Sequence, residues 1–371
     1  PSFFTRRGAA VILPVWCRFP PTPILCDPMP IPADTATLQK LNVQTPGDGE
    51  MVSIADDLLW FRFHLPFRLN HINLFALDTD QGWMLIDCGI NSDDIGAQWD
   101  VILPQLEARK PVAGIIVTHH HADHIGYAGA LAARTGAPIH IGNVEHSMAR
   151  WALSQSEDSF AAVAAATYAN FGLPEALVTR TTSVGNYYRK LVGDFPEAGI
   201  ITPDTVIETV SGNWKVRFDA GHAPGHLGLY DEARRLYIAV DFLLGRISPN
   251  ISVSLRDPDR DVLAQYYEYL ASVANLGADW QIICGHDWHY HDGAARAAQL
   301  VAHHDKRLDE LRVIGTPQTT SDAMNTLFRM ELTDHEIFFA SCEARAHLNH
   351  LVSRGDLVRD MQDGVAVFSP A

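Results

Sequence analysis

The sequence predicts an α/β fold with a helical insertion and a C-terminal winged-helix-like module. Short β-type runs alternate with helical segments between about residues 50 and 290, and several runs are apolar throughout, as in strands buried on both faces. After residue 286 the composition turns helical and charged. We therefore expect a partly irregular extension over residues 1–49, a main domain over 50–296 and the module over 297–371.

The composition predicts an ordinary globular protein and disfavours a membrane protein or a nucleic-acid-binding protein. The chain has 371 residues, of which 47% are hydrophobic and 19% charged, as in ordinary globular proteins. No run approaches the roughly 20 apolar residues of a membrane helix. The net charge of −16 disfavours nucleic acid as a partner. The five cysteines are scattered and never form a CxxC, which favours a reduced, cytoplasmic setting.

Residues 1–28 permit two interpretations. An Arg pair and a short apolar run are typical of a signal peptide. However, Pro14 interrupts the run and no clear small-residue cleavage site follows. We favour an upstream extension, with Met29 as an alternative start.

The main domain begins with predicted strands at 58–65, 72–79 and 83–90, a helix at 93–108 and a buried strand at 112–118. Helical segments at 144–200 interrupt the alternation and are interpreted as a cap. Strands then resume, and a helix at 260–276 precedes a buried strand at 280–286. The tail is predicted to form three helices and a hairpin that turns at Asp363-Gly364.

The most informative motif follows the strand at 112–118, in the run His119-His120-His121-Ala122-Asp123-His124. His119 and His121 are two residues apart and can point the same way, whereas Asp123 and His124 fall on the first turn of a helix. These four side chains are candidate metal ligands at the carboxyl end of a buried strand, where α/β proteins place their sites. A solvated His-rich turn is the alternative.

Three more candidate ligands each follow a β-type run. They are His222, Asp241 and His286. A carboxylate at the end of an apolar strand is costly unless it is paired or bound to a metal. Five His and two Asp side chains suit two adjacent metal ions that share a carboxylate and a bridging water.

These motifs resemble the metallo-β-lactamase-fold hydrolase superfamily over about residues 52–290. Thr118 to His124 match T-H-x-H-x-D-H, residues 221–226 match G-H-x-x-G-H, and residues 85–89 resemble L-I-D-T-G. The resemblance implies a four-layer αββα sandwich. It also implies that one metal is held by His119, His121 and His222, the other by Asp123, His124 and His286, with Asp241 bridging them.

Asp87 and His226 match positions that orient ligands, although a structural role for His226 is equally open. Three residues depart from the family pattern: Val240 replaces a usual Gly, Ala220 a common Pro, and Cys88 a Thr. None of them removes a ligand.

The ligand set implies hydrolysis, because two cations lower the pKa of a bridging water and polarise the bond under attack. Asp123 is the candidate catalytic residue that orients or deprotonates this water. Zinc is the first expectation for both ions, with iron or manganese as alternatives. A mono-iron dioxygenase variant is disfavoured because all seven ligands are present.

Substrate contacts are predicted at Arg246, Ser248 and Asn250, which follow Asp241 in sequence. Aromatic residues of the cap, such as Tyr168, Phe171 and Tyr188, either line a pocket or belong to the core.

The tail resembles the winged-helix extension of lactamase-like endoribonucleases, since residues 342–348 approximate E-T-x-A-H-L. It lacks a concentrated basic run, so we favour a packing or dimerisation module over a nucleic-acid-binding one. The expected function is hydrolysis of small ester-like substrates, glyoxalase II-type thioesters first and lactones second, by a metal-bridging hydroxide. The alternatives are an endoribonuclease and a non-catalytic metal-binding regulator.

Overall fold

The computed structural model describes residues 38–371. The interpretation of residues 1–28 and most of the predicted extension lie outside the described residues. Within the described part, no helix has the length and apolar character needed to cross a membrane.

The first half of the main domain forms a seven-stranded sheet in which the strands lie in chain order. The pairs are antiparallel up to the fourth strand and parallel from there to the seventh. Its strands are β1 (Val52–Ala55), β2 (Leu58–His64), β3 (His71–Thr79), β4 (Gly82–Ile86), β5 (Val112–Val117), β6 (Ile139–Gly142) and β7 (Gly199–Ile201).

The second half forms a six-stranded sheet, again with neighbours in chain order. All pairs are antiparallel except the parallel pair of the fourth and fifth strands. Its strands are β8 (Val206–Glu208), β9 (Asn213–Asp219), β10 (His226–Asp231), β11 (Leu236–Val240), β12 (Gln281–Cys284) and β13 (Tyr290–His291).

Alternation along the strands separates three hydrophobic clusters and so produces the layers. On β2, Trp60 belongs to the cluster between the two sheets, whereas Phe61 faces a cluster that also contains Trp99 of a helix. On β11, Ile238 lies between the sheets, and Tyr237 faces the opposite helices. The predicted four-layer αββα sandwich is therefore confirmed.

Helices cover both outer faces. Those of the first half are α1 (Asp93–Glu107), α2 (Ala122–Ile125), α3 (Ala128–Thr135), α4 (Asn143–Ser154), α5 (Glu157–Asn170), α6 (Glu175–Thr182) and α7 (Tyr187–Leu191). Those of the second half are α8 (Val262–Val273), α9 (Gly293–Arg312), α10 (Thr320–Leu327) and α11 (Asp334–Ser353). The predicted cap consists mainly of α4 to α7. Tyr168 and Phe171 are buried in the hydrophobic core, so both are packing residues.

The tail adds a small three-stranded sheet to the last helices. Its strands are β14 (Gln318–Thr319), β15 (Leu357–Gln362) and β16 (Val365–Pro370). The hairpin turns at Asp363 and Gly364, where both residues have positive φ, as the sequence predicts. Helix α9 begins at Gly293, before the predicted boundary at 297, because the Asp292 side chain caps it by accepting from the N–H of Ala295.

A buried polar network joins the two sheets. Asp57, in the turn between β1 and β2, accepts hydrogen bonds from the Trp214 indole at 3.0 Å and from the Arg234 guanidinium at 2.6 and 2.9 Å. Thr209 donates to the same carboxylate. The network thus fixes the second sheet against the first.

Candidate metal centre

The predicted ligands converge at the carboxyl ends of strands from both sheets. His119 and His121 follow β5, and Asp123 and His124 lie on α2 just beyond them. His222 follows β9, Asp241 follows β11 and His286 follows β12. Three groups have ligand atoms within 4.8 Å of one another: His119, His121 and His222; His119, His124 and Asp241; Asp123, His124 and His286.

Three of the histidines are oriented through their Nδ1 atoms. Nδ1 of His124 lies 2.8 Å from the Asp87 carboxylate, Nδ1 of His286 lies 2.7 Å from the His71 carbonyl, and Nδ1 of His222 lies 2.9 Å from the Asn250 carbonyl. Each Nδ1–H therefore donates to a fixed oxygen, and Nε2 faces the centre. A ligand held this way keeps one tautomer and one ring orientation.

The Nε2 atoms meet the carboxylate of Asp241. Its Oδ2 lies 3.3 Å from Nε2 of both His124 and His286, and 3.7 Å from Nε2 of His222. Asp123 Oδ2 is 3.3 Å from Nε2 of His286, and its side chain is 22% exposed, so this carboxylate borders the solvent side of the centre.

The donor set fits divalent cations. Among the described residues, Nε2 of His124, Nε2 of His222 and Oδ1 of Asp241 are buried without a hydrogen-bond partner. Such groups are costly unless something binds them. Imidazole and carboxylate donors suit zinc, iron or manganese.

The local pKa values support the same conclusion. Burial lowers the pKa of His119 and His121 well below the usual range, so both rings are neutral and able to bind a metal. Burial alone would also lower the pKa of His286, but the carboxylates of Asp241 and Asp123 raise it to about 10. The two carboxylates therefore attract positive charge into this part of the centre.

Asp87 organises the turn beneath the ligands. Its backbone adopts φ +63°, which ends β4 at Ile86, earlier than the predicted strand. One carboxylate oxygen accepts from the backbone N–H of Thr118 at 2.8 Å, and the other contacts His124. Asp87 thus connects the end of β5 to a ligand of the neighbouring helix.

His226 lies beside the ligands without joining a group of three candidate ligands. Its ring packs 4.8 Å from the ring of His119 and 4.4 Å from that of Phe242, measured between centroids. Its Nε2 is also buried without a partner. The position matches a residue that packs behind a ligand.

The three residues predicted to contact substrate, Arg246, Ser248 and Asn250, lie in different surroundings. Arg246 is half-exposed and donates from Nε to Asp287, next to His286. Ser248 lies half-buried on the same loop. The Asn250 side chain instead donates to Glu343 at 2.8 Å, and its carbonyl holds His222, so its contacts support a ligand.

Two residues near the centre hold the His120 backbone, and of these the sequence indicates only Tyr188, as a cap aromatic of the pocket or the core. Glu145 on α4 is fully buried and accepts from the backbone N–H groups of His120 and Gly225. Tyr188 of the cap donates to the carbonyl of His120 at 2.6 Å. Both depend on contacts between distant segments, which no local pattern reveals.

Comparison with known proteins identifies the family. A family model described as the metallo-beta-lactamase superfamily matches residues 68–286. The chain belongs to the metallo-beta-lactamase superfamily. Members of this superfamily are generally hydrolases and bind divalent metals, in agreement with the His and Asp groups described above. A second model, the metallo-beta-lactamase-like C-terminal domain, matches residues 309–371 and accounts for the tail.

Matches to solved structures cover most of the chain. A beta-lactamase domain protein from Burkholderia ambifaria is 32% identical with a TM-score of 0.82, and the match covers 90% of this chain and 98% of that one. A metallo-beta-lactamase family protein from Thermus thermophilus shares the fold at 24% identity and a TM-score of 0.72, over 86% and 100% of the two chains. An uncharacterized protein from Aquifex aeolicus (strain VF5) is 25% identical over 219 residues, which cover 55% of this chain and 86% of the relative.

Proposed function

We propose that this superfamily member is a binuclear metal-dependent hydrolase of small ester-like substrates, with thioesters first and lactones second. The observation that carries the proposal is the arrangement of His124, His222 and His286, whose Nε2 atoms all face the Asp241 carboxylate within 3.7 Å. One metal would be held by His119, His121 and His222, and the other by Asp123, His124 and His286, with Asp241 shared between them. When bound, two such ions supply an activated water and a Lewis acid for the acyl oxygen.

Asp123 is the proposed catalytic residue. Its side chain is more exposed than that of Asp241, the other carboxylate at the centre. Burial raises the pKa of Asp123 and the nearby histidines lower it, and the net effect is a pKa below the usual range. An ionised carboxylate at the solvent side can accept a hydrogen bond from the attacking water and orient it. No serine or cysteine nucleophile is then required.

Arg246 is the proposed substrate-binding residue. Its side chain is 52% exposed, and its guanidinium contacts Asp287, which follows the proposed ligand His286. A charged, half-exposed side chain beside the centre suits a carboxylate on the acyl or alcohol portion of a small substrate. The net charge of −16 and the excess of acidic over basic residues in 309–371 argue against a polyanionic substrate.

The test is a side-by-side assay of the full chain loaded with zinc or manganese on an acyl-thioester, an acyl-lactone and single-stranded RNA. We expect thioester or lactone turnover that a chelator abolishes and that changes little with salt. RNA cleavage alone, falling steeply as salt rises, would overturn the proposal in favour of the endoribonuclease. Metal binding without turnover of any substrate would favour a regulator.

Variants make the assay specific to the site. His121→Ala and Asp241→Ala should each lower turnover by at least about 100-fold and release one or both metals, because several kcal/mol of transition-state stabilisation are lost. His64→Ala, which changes an exposed histidine paired with Asp48, is the matched control and should retain activity. Unchanged activity in both ligand variants would contradict the site.

A further inference from the structure

The loop that follows Asp241 is fastened along helix α11 of the C-terminal module. Asn250 Nδ2 donates to Glu343 Oε2 at 2.8 Å, and the backbone N–H of Val253 donates to the Cys342 carbonyl at 3.3 Å. A third hydrogen bond joins Ser252 Oγ to the Phe339 carbonyl at 3.3 Å. The loop therefore takes its position from the C-terminal module as well as from the sheet it leaves.

Within this loop, Asn250 connects the module to a proposed metal ligand. Its backbone carbonyl accepts from Nδ1 of His222 at 2.9 Å, and its side chain donates to Glu343. A shift of the loop would move the carbonyl, and the His222 ring would lose the acceptor that directs Nε2 toward Asp241. One residue thus separates Glu343 from the ligand.

Glu343 is itself held firmly. The residue is 6% exposed, and Arg307 of α9 lies 3.7 Å from its Oε1. Nδ1 of His347 bonds the Glu343 carbonyl at 2.8 Å, which fixes the helix backbone at this turn. A buried carboxylate is costly unless its oxygens are satisfied.

The contacts distinguish two roles for this buried carboxylate, which are the counter-ion of Arg307 and the acceptor that holds Asn250. If Glu343 served only as the counter-ion of Arg307, the ion pair would be its tightest contact. The bond from Asn250 is shorter, at 2.8 Å against 3.7 Å for the guanidinium. The geometry therefore directs the carboxylate toward the loop that carries the ligand support.

We propose that Glu343 is a positioning residue of the metal centre, which acts through Asn250 to fix the His222 ring. The C-terminal module then completes the proposed site of His119, His121 and His222, because the route from Glu343 through Asn250 leads to His222. This inference rests on the proposed function, since it presupposes that divalent cations bind these residues. It assigns the tail a part in metal binding besides packing.

The experiment measures metal binding by the full chain, without substrate. Zinc affinities of both sites are determined by competition with a chromophoric chelator, and the absorption spectrum of the cobalt-substituted protein reports the coordination. Glu343→Ala should lower the affinity for the ion at the site of His119, His121 and His222 about 10-fold and change the cobalt spectrum of that site. Groups that support a ligand typically contribute this much to metal affinity. The other ion should be unaffected, and Glu343→Gln, which keeps an oxygen for Asn250, should lie closer to the wild type.

A double-mutant cycle tests the route through Asn250. Asn250→Ala should reproduce the loss, and Glu343→Ala should add nothing in that background. If the two losses add, Glu343 does not act through Asn250 and the inference is overturned. Should Glu343→Ala fail to fold, Asn250→Ala and Glu343→Gln still give the comparison.

The matched control is Asn349→Ala, on the same helix α11. Asn349 is also buried and donates to the carbonyls of Pro258 and Arg260, away from Asn250. The substitution should lower stability and leave both metal affinities unchanged. If Asn349→Ala weakens the same ion as Glu343→Ala, or if Glu343→Ala weakens neither, the inference fails while the proposed function stands. A wild-type chain that takes up no metal would overturn both.

Discussion

The carboxylate of Glu145 accepts a hydrogen bond from the backbone N–H of Gly225 at 2.6 Å. Its other oxygen accepts from the backbone N–H of His120 at 2.8 Å and also contacts the His120 ring. One buried side chain on α4 therefore joins the loop of His119–His124 to the loop that follows His222. Gly225 allows the close approach, because a Cβ there would lie 2.6 Å from Cβ of Val144.

Removing this connection should loosen both ligand loops. Glu145→Ala leaves the N–H groups of His120 and Gly225 without their acceptor, and we expect the free energy of unfolding to fall by about 3 kcal/mol. Glu145→Gln, with one acceptor oxygen left, should lose less. Urea denaturation of the two variants measures the difference, and Glu232→Ala, at the exposed Lys215 pair, is the control. Equal stability of Glu145→Ala and wild type would show that the hydrogen bonds of Glu145 contribute nothing to the free energy of unfolding.

Val240 carries backbone strain beside the proposed bridging ligand. Its φ is +48°, a left-handed conformation that is unfavourable for a β-branched residue, although its side chain is fully buried between the sheets. Val240→Ala should lose about 2 kcal/mol through lost burial. Val240→Gly should be as stable as Val240→Ala or about 1 kcal/mol more stable, because glycine relieves the strain. Thermal denaturation of both variants decides the order, and a clearly less stable glycine variant would contradict the strain.

The Asp57 network should make stability depend on acid. Burial alone raises the pKa of Asp57, but hydrogen bonds from Arg234, Thr209 and Trp214 bring it below the ordinary value of 3.8. A carboxyl whose pKa is lower in the folded state stabilises the fold above about pH 4 and loses this contribution as the pH falls through its folded pKa.

The corresponding variant is Asp57→Asn. It should cost about 2 kcal/mol at about pH 6, the scale of hydrogen bonds to a charged group. The difference in unfolding free energy between variant and wild type should narrow toward about pH 2.5, because the unfolded wild-type carboxyl takes up a proton below about pH 4 and folding must then release it. Urea midpoints at the two pH values provide the measurement. A gap that stays constant with pH would mean that the charge of Asp57 is not involved.

Arg246 should affect substrate binding and leave the metals in place. Arg246→Ala is expected to raise KM about 10-fold for a thioester that carries a carboxylate, since a lost charge-assisted hydrogen bond costs about 1.5 kcal/mol. Metal content and turnover of an uncharged thioester should not change. Arg235→Ala, at the exposed pair with Asp279, is the matched control. An equal rise in KM for charged and uncharged substrates would assign Arg246 a structural role.

The layers of the fold could be predicted because their signals are local. Alternation on β2 and the apolar run of β5 each reflect burial that a short window of sequence displays. The hairpin at Asp363-Gly364 follows from the backbone preferences of two adjacent residues. The spacing of His119, His121, Asp123 and His124 is likewise contained in six residues.

The supports of the centre could not be predicted in this way. His71 offers only its carbonyl to His286, and a backbone group leaves no trace in the choice of side chain. Asn250 was predicted to contact substrate from its distance to Asp241 in sequence. The structure instead shows its amide bonded to Glu343, 93 residues later. Glu145 is separated from Gly225 by 80 residues, so neither pairing has a periodic signature.

The proposed ligands come from two different sheets, so only the folded chain brings them together. Metal binding therefore affects the lifetime of the protein in the cell. Four of the proposed ligands follow β5 of the first sheet, and three follow β9, β11 and β12 of the second. An ion that binds only the folded chain stabilises it increasingly as its concentration rises above Kd, by about 4 kcal/mol at roughly 1,000 times Kd. Metal starvation would therefore increase the unfolded fraction and expose the chain to proteases, so that the cellular abundance of the protein follows the metal supply.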